Sequence, residues 1–363
     1  MVHTMIEKVT APYNEMKIFH HMQKLNDIKD GKVTGPIFLR IKPTNICQDN
    51  CYYCSYRCED NKQQKIRFNS TDYIKWETLK QTIIEFKELG GKSVCYSGGG
   101  EPLLYYKIYN AVVLSKKLGL DVAMITNGQK LNGEIANILG NVNWVRISAD
   151  SCNAEMFHKI RRVGKEKFTE LENNIRNFAE SKDKSCELGI NCVVSKFNAN
   201  HIYEIAEYMK NLGVNHIKFA ALVNQNTEEY HKSFKSNVIS QIEKATEDLT
   251  DSNFKVYDKY SSHFDFSAKH CRTYNNCILM QIGAIIGADS CIYLCHDKAY
   301  DTSGLLGNLK EKSFKEIWLS EDTKKFFNNF NPMEKCQHHC MYDSRNILLN
   351  NYLHVDKRDI NFI

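Results

Sequence analysis

The chain lacks the hydrophobic segments that would carry it to or through a membrane. Residues 1–30 hold no apolar core of a signal peptide, only scattered apolar residues among polar ones. The longest apolar stretch, MQIGAIIGA at 280–288, is far shorter than a membrane span. We therefore expect a cytoplasmic protein without a membrane partner.

A strong charge bias and low-complexity sequence are also missing. Basic residues number 48 and acidic residues 43, and the resulting net charge of +5 is spread along the chain. This balance does not call for a nucleic-acid partner, and we expect none, although a basic mouth for an anionic substrate stays possible. The 363 residues, 42% of them hydrophobic, suffice for two domains or for one enlarged domain.

Cysteine is abundant by contrast, with fourteen residues and no secretion signal. This usage indicates a reducing compartment, where clustered cysteines more often bind metal than form disulfides. The stretch CQDNCYYC (47–54) spaces Cys47, Cys51 and Cys54 as C-x3-C-x2-C, and Cys58 follows. Zinc sites usually use two separated pairs, and bacterial ferredoxins use C-x2-C-x2-C-x3-C-P. The residues alone leave open a zinc site, a closed iron–sulfur site, or an iron–sulfur site with one ligand left out.

Apolar runs alternate with amphipathic segments over the first two thirds of the chain. We predict strands at 36–43, 92–98, 121–128, 143–150, 188–195 and 216–223, separated by helices at 76–91, 103–119, a segment ending near Gly140, 167–178 and 201–213. Such alternation predicts a parallel sheet with right-handed crossovers. In this α/β class, functional groups collect at the carboxyl ends of the strands.

The composition changes after residue 225 and divides the chain into five predicted parts. They are an N-terminal extension (1–35), the βα region (36–225), a polar helical connector (226–270), a cysteine-rich module (271–345) with six of the fourteen cysteines, and a C-terminal tail (346–363).

The strand ends carry motifs in a characteristic order. After the cysteine trio come SGGGEP (97–102), ITNG (125–128), RISAD (146–150) and VVSKFNANHIYEI (193–205). Over residues 37–223 the chain resembles the radical S-adenosylmethionine (SAM) enzymes. The resemblance implies a partial (βα)6 TIM-like barrel followed by a small auxiliary-cluster module.

The same resemblance assigns cofactor residues. Cys47, Cys51 and Cys54 would hold a 4Fe–4S cluster whose open iron chelates SAM, and Cys58 would stay off the cluster. Glu101 would meet the SAM amino group, Arg161 its carboxylate and Asn198 its adenosine. The complete set of predicted SAM contacts is Tyr53, Gly99, Gly100, Glu101, Asn127, Ser148, Arg161 and Asn198. Taken singly, each has an ordinary alternative, such as a solvated carboxylate, a cap or a turn glycine.

The C-terminal cysteines resemble the twitch and SPASM modules that hold auxiliary 4Fe–4S clusters. We expect Cys277, Cys295, Cys336 and Cys340 to complete one such cluster, because two would need seven or eight cysteines by that resemblance. Cys271 or Cys291 could substitute for one of the four. A zinc knuckle of two separated cysteine pairs is the alternative.

The implied chemistry is reductive cleavage of SAM to a 5′-deoxyadenosyl radical that abstracts hydrogen from a substrate C–H bond. A low-potential donor such as flavodoxin or ferredoxin would supply the electron. Our leading expectation is oxidation or epimerisation of a sugar-like or aminocyclitol-like small molecule. Cys95, Cys192 or Cys291 could return a hydrogen atom, although packing in the core is the more ordinary role of such cysteines.

Two other functional classes are weighed against this one. A peptide-modifying enzyme, such as a ribosomal-peptide or sulfatase maturase, is the main alternative. An added leader-binding domain would exceed the roughly 35 residues before the first strand. An electron carrier or sensor would leave SGGGEP unexplained. We name no catalytic acid or base, and we take His263, His270 and His296 as structural.

Overall fold

One ten-stranded sheet forms the centre of the protein. The structure is a computed structural model that describes residues 13–57, 66–224, 226–266, 272–338, 340, 342–356, 358 and 361. The strands are β1 (Phe38–Ile41), β2 (Ser93–Tyr96), β3 (Asp121–Thr126), β4 (Trp144–Ser148), β5 (Glu187–Val194), β6 (His216–Ala221), β7 (Lys255–Lys259), β8 (Gly283–Ile286), β9 (Cys291–Tyr293) and β10 (Leu305–Asn308). Their order across the sheet is β10-β9-β8-β1-β2-β3-β4-β5-β6-β7.

Helices cover the outer face of this sheet. The α-helices are α1 (Met22–Lys29), α2 (Trp76–Glu88), α3 (Ile108–Lys117), α4 (Gly133–Leu139), α5 (Ala154–Arg161), α6 (Glu166–Ser181), α7 (Ile202–Asn211), α8 (Thr227–His231), α9 (Lys235–Leu249), α10 (Ser261–Phe266), α11 (Phe314–Trp318), α12 (Glu321–Asn329), α13 (Pro332–Lys335) and α14 (Asp343–His354). Short 3-10 helices occupy Glu15–His21, Pro102–Leu104, Ile278–Gln281 and Thr302–Gly304. In α2, Leu79, Ile83 and Phe86 form the buried stripe that helical spacing predicts.

The strands from β8 through β1 to β7 run parallel, whereas β9 pairs antiparallel with both β8 and β10. All six predicted strands are present at their expected places. Because parallel strands end at one edge, the loops after β1 to β6 meet there. This edge carries the candidate site.

The connector at 226–270 is not purely helical, and that part of our prediction is wrong. Strand β7 lies inside it and pairs with β6, with His216 opposite Lys255. Three of the five residues in its sequence KVYDK are charged, and the buried contacts come from Val256 and from Phe254 just before the strand. A strand with so few apolar residues gives little alternation to detect.

The C-terminal cysteine-rich segment continues the same sheet. Strand β8 pairs in parallel with β1, and Phe38 lies opposite Gly283. Helix α1 packs on the same segment through a small core of Leu25, Ile282 and Leu349. In the described parts of the chain, no helix has the length and apolar content to cross a membrane.

Candidate functional site

The conformation of the loop that carries the first three cysteines is stabilised by hydrogen bonds from an arginine of the same loop to its main chain. The Arg57 guanidinium donates to the main-chain carbonyls of Asn45, Cys47 and Asp49 at 3.0, 3.3 and 3.1 Å. The loop is also bonded to the end of α5, where the Asn50 amide donates to a carbonyl at 3.1 Å. Arg57 was not among the predicted residues, because its role depends on a fold of the loop that spacing does not reveal.

The glycines of SGGGEP let two loops approach each other. The Gly100 amide donates to the Thr44 carbonyl at 3.0 Å. A Cβ added at Gly99 would lie 1.9 Å from Asn45 Oδ1, and one at Gly100 would lie 2.1 Å from the Ile46 carbonyl oxygen. We predicted glycine here for contact with a ligand. The structure shows that close packing against the cysteine loop already requires it.

Glu101 is a buried carboxyl surrounded by donors. Its Oε1 accepts from the Thr126 hydroxyl at 2.6 Å and the Leu103 amide at 3.0 Å, and Oε2 accepts from the Asn127 amide at 2.7 Å. Burial raises the pKa of Glu101 to about 7, against the opposing effect of these bonds. The group therefore changes charge near neutrality, and a neighbouring cation would favour its ionised form.

Arg161 is held by carboxylates of the protein. Its guanidinium lies 2.8 Å from Asp150 Oδ2 and 3.8 Å from Asp49 Oδ2, and it donates to Cys51 Sγ at 3.4 Å. The Tyr53 hydroxyl donates to the same Asp150 oxygen at 2.5 Å. Arg161 thus joins the cysteine loop to the end of β4. We had not predicted the roles of Asp49 and Asp150, although both stand inside the quoted motifs.

The remaining predicted SAM contacts lie at the same edge of the sheet. Ser148 ends β4, and its carbonyl accepts from Arg161 at 2.6 Å. Asn198 is fully buried; its Oδ1 accepts from the Ser195 amide at 2.7 Å, and its Nδ2 donates to the Asp150 carbonyl at 3.0 Å. The Asn198 side chain organises this loop, and its contact with adenosine stays a prediction.

Several buried polar atoms at this edge have no hydrogen-bond partner among the described residues. They are Gln48 Oε1, Ser97 Oγ, Asn127 Nδ2 and Ser151 Oγ. They come from the loops after β1, β2, β3 and β4. Because buried polar atoms are nearly always paired, their convergence fits a polar ligand such as SAM.

Burial holds two thiols of the first loop, those of Cys47 and Cys51, in their protonated form. Burial raises the pKa of Cys47 to about 12 and that of Cys51 to about 11. Ligation requires thiolates, so assembly of a cluster here would release protons. Cys58 lies outside the described residues.

The four predicted C-terminal ligands converge. Burial raises the pKa of all four thiols; Cys336 raises that of Cys277 further, and Cys277 and Cys340 raise that of Cys295. The Asn346 amide donates to Cys277 Sγ at 3.4 Å.

Of the two cysteines proposed as substitute ligands, the structure describes only one. Cys291 Sγ accepts instead from Arg67 at 3.3 Å and lies beside Asp289, so its use as a substitute ligand is not supported. The other substitute, Cys271, lies outside the part of the chain that the structure describes.

Neither cysteine set is spaced for a single ion. Across the described ranges, no three Cys, His, Asp or Glu side chains come close enough together to hold one metal ion. Thiolates on different irons of a cluster lie farther apart than thiolates on one zinc, whose bonds are about 2.3 Å long. All-sulfur donor sets are taken by both zinc and iron–sulfur clusters, so the donors alone do not choose between them.

Comparison with known families decides the identity of this site. Residues 41–208 match the radical SAM superfamily, and residues 277–341 match the SPASM iron–sulfur cluster-binding domain. The chain belongs to the radical SAM superfamily. This radical SAM protein is therefore an enzyme whose cofactors are a 4Fe–4S cluster and SAM, with an auxiliary iron–sulfur module at the C-terminal side.

Individual relatives are distant. The GTP 3′,8-cyclase of Vibrio parahaemolyticus is 29% identical over 39% of this chain and 42% of its own length. The radical SAM cyclopropyl synthase TigE of Paramaledivibacter caminithermalis is 24% identical over 93% of this chain and 69% of its own. The chain spans 42% and 55% of the length of the two cyclases it matches first.

A solved structure shows the same fold. Streptococcus suis SuiB bound to its precursor peptide SuiA superposes with a TM-score of 0.62 at 15% identity, covering 86% of this chain and 71% of SuiB. The match therefore extends well beyond the segment recognised as the radical SAM domain.

Proposed function

We propose that this radical SAM enzyme modifies a residue of a peptide or protein substrate. The observation that carries the proposal is the extent of the structural match. The SuiB structure, which was solved with a precursor peptide bound, covers 86% of this chain. The relative aligned over 93% of the chain, a cyclopropyl synthase, is not a cyclase of GTP. This ranks peptide modification above our sequence-based expectation of a sugar-like substrate.

In this proposal the first site holds the cluster and SAM. Cys47, Cys51 and Cys54 would bind the iron, and Glu101 would accept hydrogen bonds from the N–H groups of the SAM amino group, which stabilise its ionised form. Bound there, the cluster and SAM supply a carbon radical able to remove hydrogen from an unactivated C–H bond. The protein residues position these groups and exclude water. Arg161 contributes by fixing the cysteine loop to Asp150.

The C-terminal thiols hold the auxiliary cluster through Cys277, Cys295, Cys336 and Cys340. A connection between the two regions is visible. Tyr56, two residues after Cys54, lies 3.5 Å from His296 Nε2, and His296 Nδ1 lies 3.3 Å from Arg40. His296 directly follows Cys295, so this link brings the auxiliary ligands next to the sheet.

Three exposed apolar side chains follow strands that lead to the site. They are Ile46 after β1, Phe197 after β5 and Val223 after β6, and each is at least 37% exposed. In this proposal the peptide or protein substrate contacts them.

A second candidate is oxidation or epimerisation of a sugar-like small molecule. The cysteine count favours it: the C-terminal module has six cysteines, and Cys291 lies with Arg67 rather than with the four ligands. A single auxiliary cluster is the arrangement that we expected for such a dehydrogenase.

Two measurements separate these candidates. Anaerobic enzyme reconstituted with iron and sulfide, and given dithionite and SAM, should release 5′-deoxyadenosine; no cleavage would reject both. Co-expression with short open reading frames encoded beside the gene should yield a peptide of altered mass. The second candidate would be favoured if the peptides were unchanged and the enzyme converted a sugar that enzymes encoded by neighbouring genes make or use. Solvent deuterium in that product would indicate epimerisation.

A further inference from the structure

Three cations lie on the face of the sheet that the helices do not cover. In β1, Leu39 and Ile41 pack in the core with the helices, so the intervening Arg40 points to the opposite face. The same alternation places Arg146 between Val145 and Ile147 in β4 and Lys218 between Ile217 and Phe219 in β6. We call Arg40, Arg146 and Lys218 the inner cations.

The inner cations lie near one another. Burial lowers the pKa of Lys218 well below its usual range, and the charges of Arg146 and Arg40 lower it further. The same two arginines lower the pKa of the Cys95 thiol against the larger effect of burial. Lys218 Nζ lies 5.5 Å from the ring centre of Tyr13. The three side chains therefore form one group around the inner face of β2.

The two arginines of this group have no carboxylate partner among the described residues, and the lowered pKa of Lys218 favours its neutral form until an anion binds. Among the described residues, none of the inner cations forms a salt bridge, and the buried Nε atoms of Arg40 and Arg146 have no hydrogen-bond partner. Asp297 is the carboxylate whose charge acts on Arg40, and it lies 3.8 Å from His338. The three side chains are half-buried, and bringing like charges together in such a partly enclosed space is costly unless an anion compensates them.

The position of the group suits a substrate. Arg40 lies one residue before the end of β1, and Lys218 lies in the middle of β6. The cations therefore sit below the edge where the cysteine loop and Glu101 meet. An anion held there would direct the adjacent part of the molecule toward that edge.

We propose that the inner cations bind an anionic group of the substrate, a carboxylate or a phosphate, and so select an acidic substrate. Two guanidinium groups can each offer paired N–H donors to such an oxyanion. The inference deepens the proposed function and rests on it: in a peptide, the group is the carboxylate of an Asp or Glu close to the modified residue.

The test compares two labelled hexapeptide libraries, one with Glu and one with Gln fixed at a central position. Binding to the reconstituted enzyme with SAM is measured by fluorescence anisotropy. We expect the Glu library to bind at least tenfold more tightly. R146M and K218M should each remove that preference. K218R should keep most of it and R146K only part, because an ammonium lacks the paired donors of a guanidinium. K232M, the same charge change at an exposed side chain, should leave it intact.

Failure of the inference and failure of the proposed function give different results. Equal binding of the Glu and Gln libraries would overturn the inference and leave a peptide substrate in place. Binding of neither library, with glucose 6-phosphate or inorganic pyrophosphate bound tenfold more weakly by K218M, would support the inference and reject the peptide. If neither library nor either anion bound, the inference would be overturned. The comparison of the Glu and Gln libraries uses the unmutated enzyme, so it does not depend on whether a variant folds.

Discussion

The two cysteine sets differ in what surrounds their sulfur atoms. Around Cys47, Cys51 and Cys54, buried polar atoms of the neighbouring strand ends have no described partner, and a carboxyl of raised pKa stands close by. We expect the four C-terminal thiols to complete the ligands of one cluster, and Asn346 donates to Cys277. By this assignment the first set leaves a place for another molecule, whereas the second set needs none.

The largest expected effect comes from removing one cysteine ligand from each set in turn. Cys51→Ala should abolish 5′-deoxyadenosine formation, since three thiolates are the minimum for the SAM-binding cluster. Cys277→Ala should retain SAM cleavage but lose product, and iron should fall from about eight to about four per chain. Chromatography and iron analysis measure both. Cys58→Ala and Cys291→Ala are the controls and should keep both clusters; loss of SAM cleavage in Cys58→Ala would contradict our three-ligand assignment.

Arg161 should stabilise the first region far more than any surface arginine does. Arg161→Met leaves two buried carboxylates, Asp49 and Asp150, without their cation. We expect the free energy of unfolding of the apo protein, measured by urea denaturation, to fall by about 3–5 kcal/mol. Arg176→Met, which breaks an exposed pair with Glu172, should cost less than about 1 kcal/mol. Equal effects would show that the Arg161 pairs are unimportant.

The close contact between the glycine loop and the cysteine loop can be tested by one methyl group. Gly100→Ala puts a Cβ against the Ile46 carbonyl, so we expect a cost of about 1–3 kcal/mol and reduced cluster content. Gly140→Ala meets its nearest atom, Lys182 Cα, at 3.3 Å and should be almost neutral. Thermal unfolding and absorbance of the reconstituted cluster measure the two effects. Full cluster content in Gly100→Ala would mean that the loops can separate without loss.

The smallest effect concerns pH. Burial raises the pKa of Glu101 to about 7, so its carboxyl is mostly protonated at pH 6 and ionised above neutrality. Since the ionised carboxylate is the stronger acceptor for the N–H groups of SAM, SAM affinity should rise between pH 6 and 7.5 by up to about eightfold more in the native protein than in Glu101→Gln. Glu101→Gln should bind SAM more weakly with a shallower profile; an identical rise in both proteins would assign the titration to another group.

Local signals made most of the fold and of the first site predictable. The six strands were found because each is a short apolar run with glycine or proline nearby, and the cysteine trio because its ligands lie within eight residues. Strand β7 was missed because KVYDK offers too few apolar positions. Arg57 and Asp49 were missed because their partners are fixed by how the loop folds.

Long-range groups were harder to predict for a physical reason. Arg40, Arg146 and Lys218 each stand alone in a different strand, so no stretch of sequence contains the group. A signal does exist: each is the charged residue at an inward position of a strand whose outward positions are apolar. The charge balance of the sequence allows a basic mouth for an anionic substrate, but it assigns no residues to it.

The pairing of β8 with β1 has a consequence for how the protein folds. One edge of β1 finds its partner only when the chain has been made as far as Gly283. Until then, during synthesis, that edge exposes unpaired N–H and C=O groups to other chains. The strand that leads into the SAM-binding cysteines is therefore completed late. A protein truncated before residue 283 should aggregate rather than yield an isolated working domain.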